Sequence, residues 1–519
     1  LNARPVARGD VAMLRFFARA TEVSDESNAA RLLVVVRRNG TDFNSSYEGD
    51  YSLGREWQEV LVPFTFRMDY PKDDAAIMLR FGFKRQTVEI GGVEVIYYGK
   101  TQSVTSLPRT RFSYDGREPD AAWRKEALAR IEKIRKGDLT VRVTDAAGRA
   151  VSGAAVKIEE RKSAFQWGSA LQMVRLVQDS PDNLRYREKV LQLFNAASTE
   201  NDLKWPMWNG EGQGSYTREQ TMAGLRWLKQ HDFFLRGHVL VWPGWRNLPN
   251  YTQHLRGTPH EAAIPDLVVG HIREITRATK GLLDEWDVLN EPYSNHDLMD
   301  LFGRDIMPAW FKVAREELPK AALFFNDFSN HDATTDRAHV EDFEQTTRFL
   351  LDHGAPVTGL GLQAHFNNHP NAPANVLAVL DRYEQEFHLP VRITEFDVWT
   401  FDEELQADYT RDFLILSFSH PSVVGVQLWG FWENAHWRPP AALYRSDWTE
   451  KPNAKVYQSL VLDQWRTHVA GSTGADGRYA TRGFYGGYVV TVEAGGRRTE
   501  QTFVLRAGES APIVEIKLP

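Results

Sequence analysis

Two glutamates carry the clearest chemistry in this chain. Glu291 ends the run WDVLNEP (286–292) short of its proline, and Glu395 sits within ITEFDV (393–398). Each follows a short apolar stretch, where a carboxylate is costly to bury unless it is paired or has a chemical task. Two carboxylates facing each other suit glycoside hydrolysis. One protonates the leaving oxygen; the other attacks the anomeric carbon or activates water. A separation of about 5–5.5 Å gives retention of configuration, and about 6.5–9.5 Å gives inversion. The competing reading is an unrelated pair of surface carboxylates.

Other polar and aromatic residues end apolar runs in the same way. They are Glu200 and Asn201 with Lys204 and Trp205 beyond, His238 and Trp242, Asn290, Gln363 and His365, Asp397, and Trp429 with Trp432 and Trp437 close behind. Asn290 is placed to bind a sugar 2-hydroxyl; its alternative role is capping the next helix. His365, itself held by Asp397, could orient Glu395. Lys204 and His238 could donate to sugar hydroxyls. The 16 Trp, 17 Tyr and 28 Phe offer core filling and flat faces that stack on sugar rings.

Rival chemistries lack their motifs. There is no HExxH pair and no GxSxG elbow. The histidines of HGAP (353–356) and HFNNH (365–369) form no ligand set, so neither a catalytic metal nor a cofactor is expected. Cysteine is absent, which excludes disulfides and thiol catalysis. The net charge of −7 leaves no basic surplus for nucleic acid, and no apolar run reaches about 18 residues, as a membrane span requires.

The elements that position these residues follow from the pattern. Eight strand-like runs alternate with helical stretches: 165–171, 194–201, 233–242, 286–291, 322–327, 357–365, 391–398 and 423–432. Over about 300 residues this predicts a (β/α)8 barrel within an α/β fold, whose reactive groups lie at the C-terminal strand ends. A doubly wound sheet would want a Gly-rich phosphate loop after the first strand.

The 519 residues exceed one core. Residues 1–118 read as a β-sandwich, with Phe43, Tyr47, Tyr51, Trp57, Tyr97 and Tyr98 as sugar-platform or core aromatics. Residues 119–163 supply a linking helix, with Trp123, Leu128, Ile131 and Ile134 at helical spacing, and a β segment. The barrel takes 164–467. Residues 468–519 form a C-terminal β segment in which 477–508 reads as three short strands, expected to pair with 137–161.

The motifs resemble those of glycoside hydrolase family 10, the endo-β-1,4-xylanases. WDVLNEP and ITEFDV look like its two catalytic signatures. TENDLKW (199–205), RGHVLVW (236–242), GLGLQAH (359–365) and LWGFWENAHW (428–437) resemble its second-, third-, sixth- and eighth-strand motifs. The resemblance implies Glu291 as acid/base and Glu395 as nucleophile, with retention. It implies that Lys204, His238, Trp242, Asn290, Gln363, His365, Trp429 and Trp437 line the glycone subsite beside the cleaved bond. Glu200 and Asn201 would reach one sugar further, and Asp397 would support His365 and Glu395. A raised pKa on Glu291 is expected, keeping it protonated near neutral pH.

One position departs from the family. Its third-strand motif often continues Trp-His-Ser-Gln, with the Gln on the second glycone sugar; here Trp242-Pro243-Gly244-Trp245 puts Trp245 in that place. The flanks 123–143 and 477–492 resemble the plant-type branch, whose N-terminal sandwich is similar to carbohydrate-binding module family 22. The expected protein is a secreted or periplasmic monomer acting on xylan. A structural calcium in the sandwich is the one ion this leaves open. The alternatives are the same mechanism on decorated xylan, mixed β-glucan or algal glycan, and a non-catalytic glycan-binding barrel, whose hallmark would be loss of one glutamate.

Overall fold

The computed structural model describes residues 2–23, 30–40, 45–82, 85–111, 113–212, 216–331, 337–400 and 402–518. Eight parallel strands form the barrel: Gln166–Leu171, Ala196–Thr199, Phe234–Gly237, Glu285–Asn290, Ala322–Asp327, Gly359–Leu362, Val391–Val398 and Val423–Leu428. Pairing of the sixth with the seventh, and of the eighth with the first, closes the ring. The fourth and seventh strands are buried at every residue. This is why they read as continuous runs with no alternation. Side-chain caps start several of the intervening helices: Ser180 accepts from the Asn183 amide, Thr217 from Gln220 and Asp402 from Leu405.

Four strands are shorter than the sequence predicts: the second covers only Ala196–Thr199 and the eighth stops at Leu428. The third ends at Gly237, although the apolar run continues to Trp242. Beyond it, the Leu240 and Val241 amides donate to carbonyls of Asp287 and Val288, so the chain still lies along the fourth strand. The sixth breaks at Ala364, whose φ is +63°, and resumes as the two-residue strand His365–Phe366.

The N-terminal region forms two three-stranded antiparallel sheets. One orders Gln58–Thr65, Val11–Val23 and Gln86–Gly99; the other orders Ser45–Leu53, Ala30–Arg38 and Ala75–Arg80. Leu14, Phe16, Leu32, Val34, Val60 and Val62 fill the space between them, in a core continuous with that of the barrel. Of the aromatics singled out, Tyr51 is buried, Tyr47, Tyr97 and Tyr98 are half-buried, and Trp57 is 49% exposed. Phe43 lies outside the described residues.

The linking helix, Ala122–Ile134, buries Ile131 and half-buries Trp123 and Ile134, three of the four residues singled out. Arg124, Ala127 and Ile131 point inward, while Leu128 is 42% exposed. An ion pair selects this face. Arg124 donates to both oxygens of fully buried Asp412 at 2.9 and 2.7 Å, and the Tyr114 hydroxyl donates to the same carboxylate at 2.8 Å. Asp412 lies in the barrel helix Glu403–Ser419. Arg135 adds bonds to the carbonyls of Phe418, His420 and Val423.

The chain after the barrel forms the three strands expected within 477–508, Arg478–Phe484, Gly486–Ala494 and Arg497–Leu505, and two more, one on either side, His468–Ser472 and Ile513–Lys517. Lys136–Thr144 lies between Arg478–Phe484 and Ile513–Lys517. Ala155–Ser163 lies between His468–Ser472 and Gly486–Ala494, and the latter pairs on with Arg497–Leu505. Leu139, Val141, Ile158, Val490, Val514 and Ile516 form their shared core.

Arg124→Ala leaves Asp412 paired with Arg411 at 2.8 Å and bonded to Tyr114, but removes two charge-assisted hydrogen bonds that tie the linker to the barrel. It is therefore expected to cost about 1.5–3 kcal/mol of stability, read as a drop in the denaturant midpoint. A loss below about 0.5 kcal/mol, the range of an ordinary surface substitution, would show that this pair does not hold the linker to the barrel.

Candidate active site

The strand ends converge at one mouth of the barrel. Glu291 stands just past the fourth strand and is 8% exposed; Glu395, within the seventh, is 4% exposed. Glu291 has φ +51°, in the left-handed region, which costs a side-chain-bearing residue about 1–2 kcal/mol. Backbone bonds hold it there: its amide donates to the Asn326 carbonyl at 3.0 Å, and its carbonyl accepts from the Asn295 amide at 3.0 Å.

Amide side chains join the two carboxylates. Asn326, in the fifth strand, donates through Nδ2 to Glu395 Oε1 and to Asn290 Oδ1, both at 2.9 Å. Asn290 in turn donates to Glu291 Oε1 at 3.1 Å. Gln363 Nε2 reaches the same oxygen at 2.7 Å, and Asn295 Nδ2 lies 3.3 Å from Glu291 Oε2. Thr394 fixes the orientation of Asn326 by donating to its Oδ1 at 2.8 Å. Asn290, Asn326 and Gln363 are at most 2% exposed.

Glu395 is held as an anion. Burial pushes its carboxyl up, but the His365 contact, the nearby His238 and His365 rings and the Asn326 amide outweigh burial and hold it below the usual carboxylate range. His365 lies between two acids, with Nε2 3.4 Å from Glu395 Oε2 and Nδ1 3.0 Å from Asp397 Oδ1. Trp437 Nε1 donates to the other oxygen of Asp397 at 2.6 Å, and its ring packs 4.7 Å from that of His365.

The remaining residues gather on the side of the second and third strands. Lys204 donates to Asn201 Oδ1 at 2.8 Å, with its ammonium 5.2 Å above the Trp242 ring. Burial lowers its pKa against the pull of Glu395, Glu200 and Glu291. Glu200, raised by burial, accepts from Gln172 at 2.9 Å. Trp242 Nε1 is buried without an acceptor among the described residues, leaving a donor for a hydroxyl. The His238 ring stands edge-on to Trp429 at 5.2 Å, and its Nδ1 lies 2.8 Å from Asp287. Trp245 is half-buried in a 3-10 turn, with the Arg256 guanidinium 5.2 Å above its ring.

Most of the residues singled out from the sequence thus gather at this mouth; Trp205 and Trp432 are instead buried, stacked on His271 and Trp448. Sequence reasoning missed Asn326, Asn295 and Asp287. Asn326 could have been found, because it lies at the end of the fifth strand run, which with the first was given no role.

The His365 ring carries a pH dependence. Burial disfavours its charged form, but the charge and hydrogen bond of Asp397, with help from Glu395, push its pKa up to about 10. Its ordinary value is near 6.5. The stability this adds is fully present below about pH 6.5 and is lost as pH rises through about 10. The imidazole nitrogen resonances of His365 should therefore stay in the protonated form from pH 6 to about 9. A midpoint near 6.5 would contradict the ion triad.

Known proteins share this arrangement to different extents. The chain is 30% identical over 403 residues to anti-sigma-I factor RsgI6 of Acetivibrio thermocellus, covering 76% of this chain and 50% of that protein. It is 27% identical over 395 residues to endo-1,4-beta-xylanase 1 of Arabidopsis thaliana, covering 76% of this chain and 40% of that protein. The chain thus spans about half, or less, of the length of these relatives. Its fold is like that of native xylanase 10B from Thermotoga maritima, with a TM-score of 0.51 at 23% identity over 58% of this chain and 96% of that one. The glycosyl hydrolase family 10 profile matches residues 157–460, more than half of the sequence, and the chain belongs to that family.

Proposed function

We propose that this protein is a retaining endo-β-1,4-xylanase working by double displacement. The observation that carries this reading is the amide bridge from Glu291 through Asn290 and Asn326 to a Glu395 held ionised. Glu291 gives its proton to the glycosidic oxygen as the bond to the anomeric carbon breaks. Glu395 attacks that carbon and forms a glycosyl ester. Glu291 then takes a proton from water, whose oxygen displaces Glu395 and regenerates both groups. Asn290 and Lys204 meet the hydroxyls of the sugar beside the cleaved bond. Trp242, Trp429 and Trp437 give it flat walls, and Glu200 and Asn201 serve the next sugar.

Glu291→Ala is expected to lower kcat/KM on xylan by roughly 10²–10⁴. It should lower it far less on a dinitrophenyl xyloside, whose leaving group needs no proton. A 2-fluoro xyloside should label Glu395. Full activity in the variant, or a label on another residue, would sink the assignment.

Trp245 favours a second reading of the substrate, a decorated or mixed glycan. Its ring is pinned by Arg256 and by a backbone bond to Asp297 at 2.8 Å, so it presents a fixed aromatic surface where an amide would offer hydrogen bonds. On a polysaccharide panel, Trp245→Gln should shift preference toward linear xylo-oligosaccharides by roughly three- to tenfold, the scale of one polar contact. An unchanged ranking would remove Trp245 from specificity.

A further inference from the structure

A cleft of about 950 Å³ opens between the N-terminal sandwich and the barrel mouth. That is at the upper end of the roughly 300–1,000 Å³ of ligand clefts. Tyr47 and Tyr51 of the sandwich line one side, their hydroxyls 2.8 Å apart. Asn368 and Thr400, from the loops after the sixth and seventh strands, line the other. These strands lie across the ring from the second and third, which carry Glu200, Lys204 and Trp242. A chain lying over the glutamates from that side would leave toward this cleft.

The contact between the two regions continues into the active site. Arg31 of the sandwich lies 4.8 Å over the ring of Trp399, the residue before Thr400. Arg438 lies 5.7 Å from the same ring and 4.0 Å from that of Trp437, which holds Asp397. A chain of contacts therefore links the support of Glu395 to the sandwich beside the cleft, through Trp399, the neighbour of the cleft residue Thr400.

The chemistry of the lining selects the occupant. Arg117 and Arg411 each bind Asp408 at 2.8 Å, and acidic groups line the cleft alongside the arginines, so there is no positive surplus for an anion. Asn368 is 3% exposed, and its Oδ1 has no hydrogen-bond partner among the described residues. A buried acceptor of this kind calls for a donor such as a hydroxyl. We propose that this cleft is a composite subsite in which sandwich and barrel together bind the uncharged sugars of the glycan on the leaving-group side of the cleaved bond. The proposal rests on the xylanase reading above.

The test compares two substrates on the full chain. Xylohexaose can fill the cleft; an aryl β-xylobioside puts no sugar there. Ser113 and Thr105 line the cleft and are exposed, so Ser113→Trp and Thr105→Trp each fill it without touching the core. Both should lower kcat/KM on xylohexaose roughly tenfold, about one lost hydrogen-bonded contact, and change the aryl xylobioside by less than about twofold. Equal losses on both substrates, no loss on either, or a change in oligomeric state that points to a second copy as the occupant would overturn the composite subsite. If the unaltered chain cleaves neither substrate, the xylanase reading itself fails, a result distinct from insensitivity of the variants.

Discussion

The site depends on charges buried inside the barrel beneath it. Glu285 and Asp287 of the fourth strand, Arg236 of the third and Arg392 of the seventh are all at most 2% exposed. Such groups are tolerable only in each other's company. Arg236 holds both acids, at 2.8 Å for Glu285 and 2.6 Å for Asp287, and Arg392 reaches Glu285 at 2.6 Å. The fourth and seventh strands are the two that carry the glutamates. They are thus tied across the lumen below by Glu285 and Arg392, and above by Asn290, Asn326 and Glu395. Asp287 also faces His238, so the same network sets a ring at the mouth.

Above this base the protein positions its carboxylates with amides in place of further charges. Asn290, Asn295, Asn326 and Gln363 donate hydrogen bonds without adding net charge near a reacting sugar. The one charged support, His365 with Asp397, is aimed at Glu395. The two glutamates therefore share a framework, and the His365–Asp397 pair is placed against Glu395, which suits the proposed division into proton donor and nucleophile. The left-handed backbone at Glu291 is the strained element, and neighbouring strands restrain it on both sides.

Much of this was legible in the sequence, because parallel barrel strands are buried on both faces and read as apolar runs with polar ends. That reading located the eight strands and placed Glu200, His238, Glu291, Gln363 and Glu395 at the correct end of the barrel. It overran the second, third, sixth and eighth strands, because hydrophobicity reports burial and does not report where the backbone leaves its ladder. It did not foresee that the linking helix buries Arg124 and exposes Leu128, because Arg124 is stabilised by a partner 288 residues away. Asn295 went unnoticed because an amide in a loop leaves no periodic trace along the chain, and Asn326 because the end of its strand was not weighed. The paired sheets of the N-terminal region were readable from alternation, but their approach to Trp399 was not.

The β unit beside the barrel is assembled from segments that leave the ribosome far apart in time. Ala155–Ser163 is made roughly 300 residues before His468–Ser472 and Gly486–Ala494, the strands that flank it. At about 5–20 residues per second, that interval is tens of seconds. Throughout it, Lys136–Thr144 and Ala155–Ser163 expose open edges that could pair with another nascent chain. Glu159, Arg161 and Lys162 put charge along the second of these strands, and Asp138 and Arg142 along the first. The alternation of charge with apolar residues there thus has a second use, guarding the unit during the interval when only two of its seven strands exist.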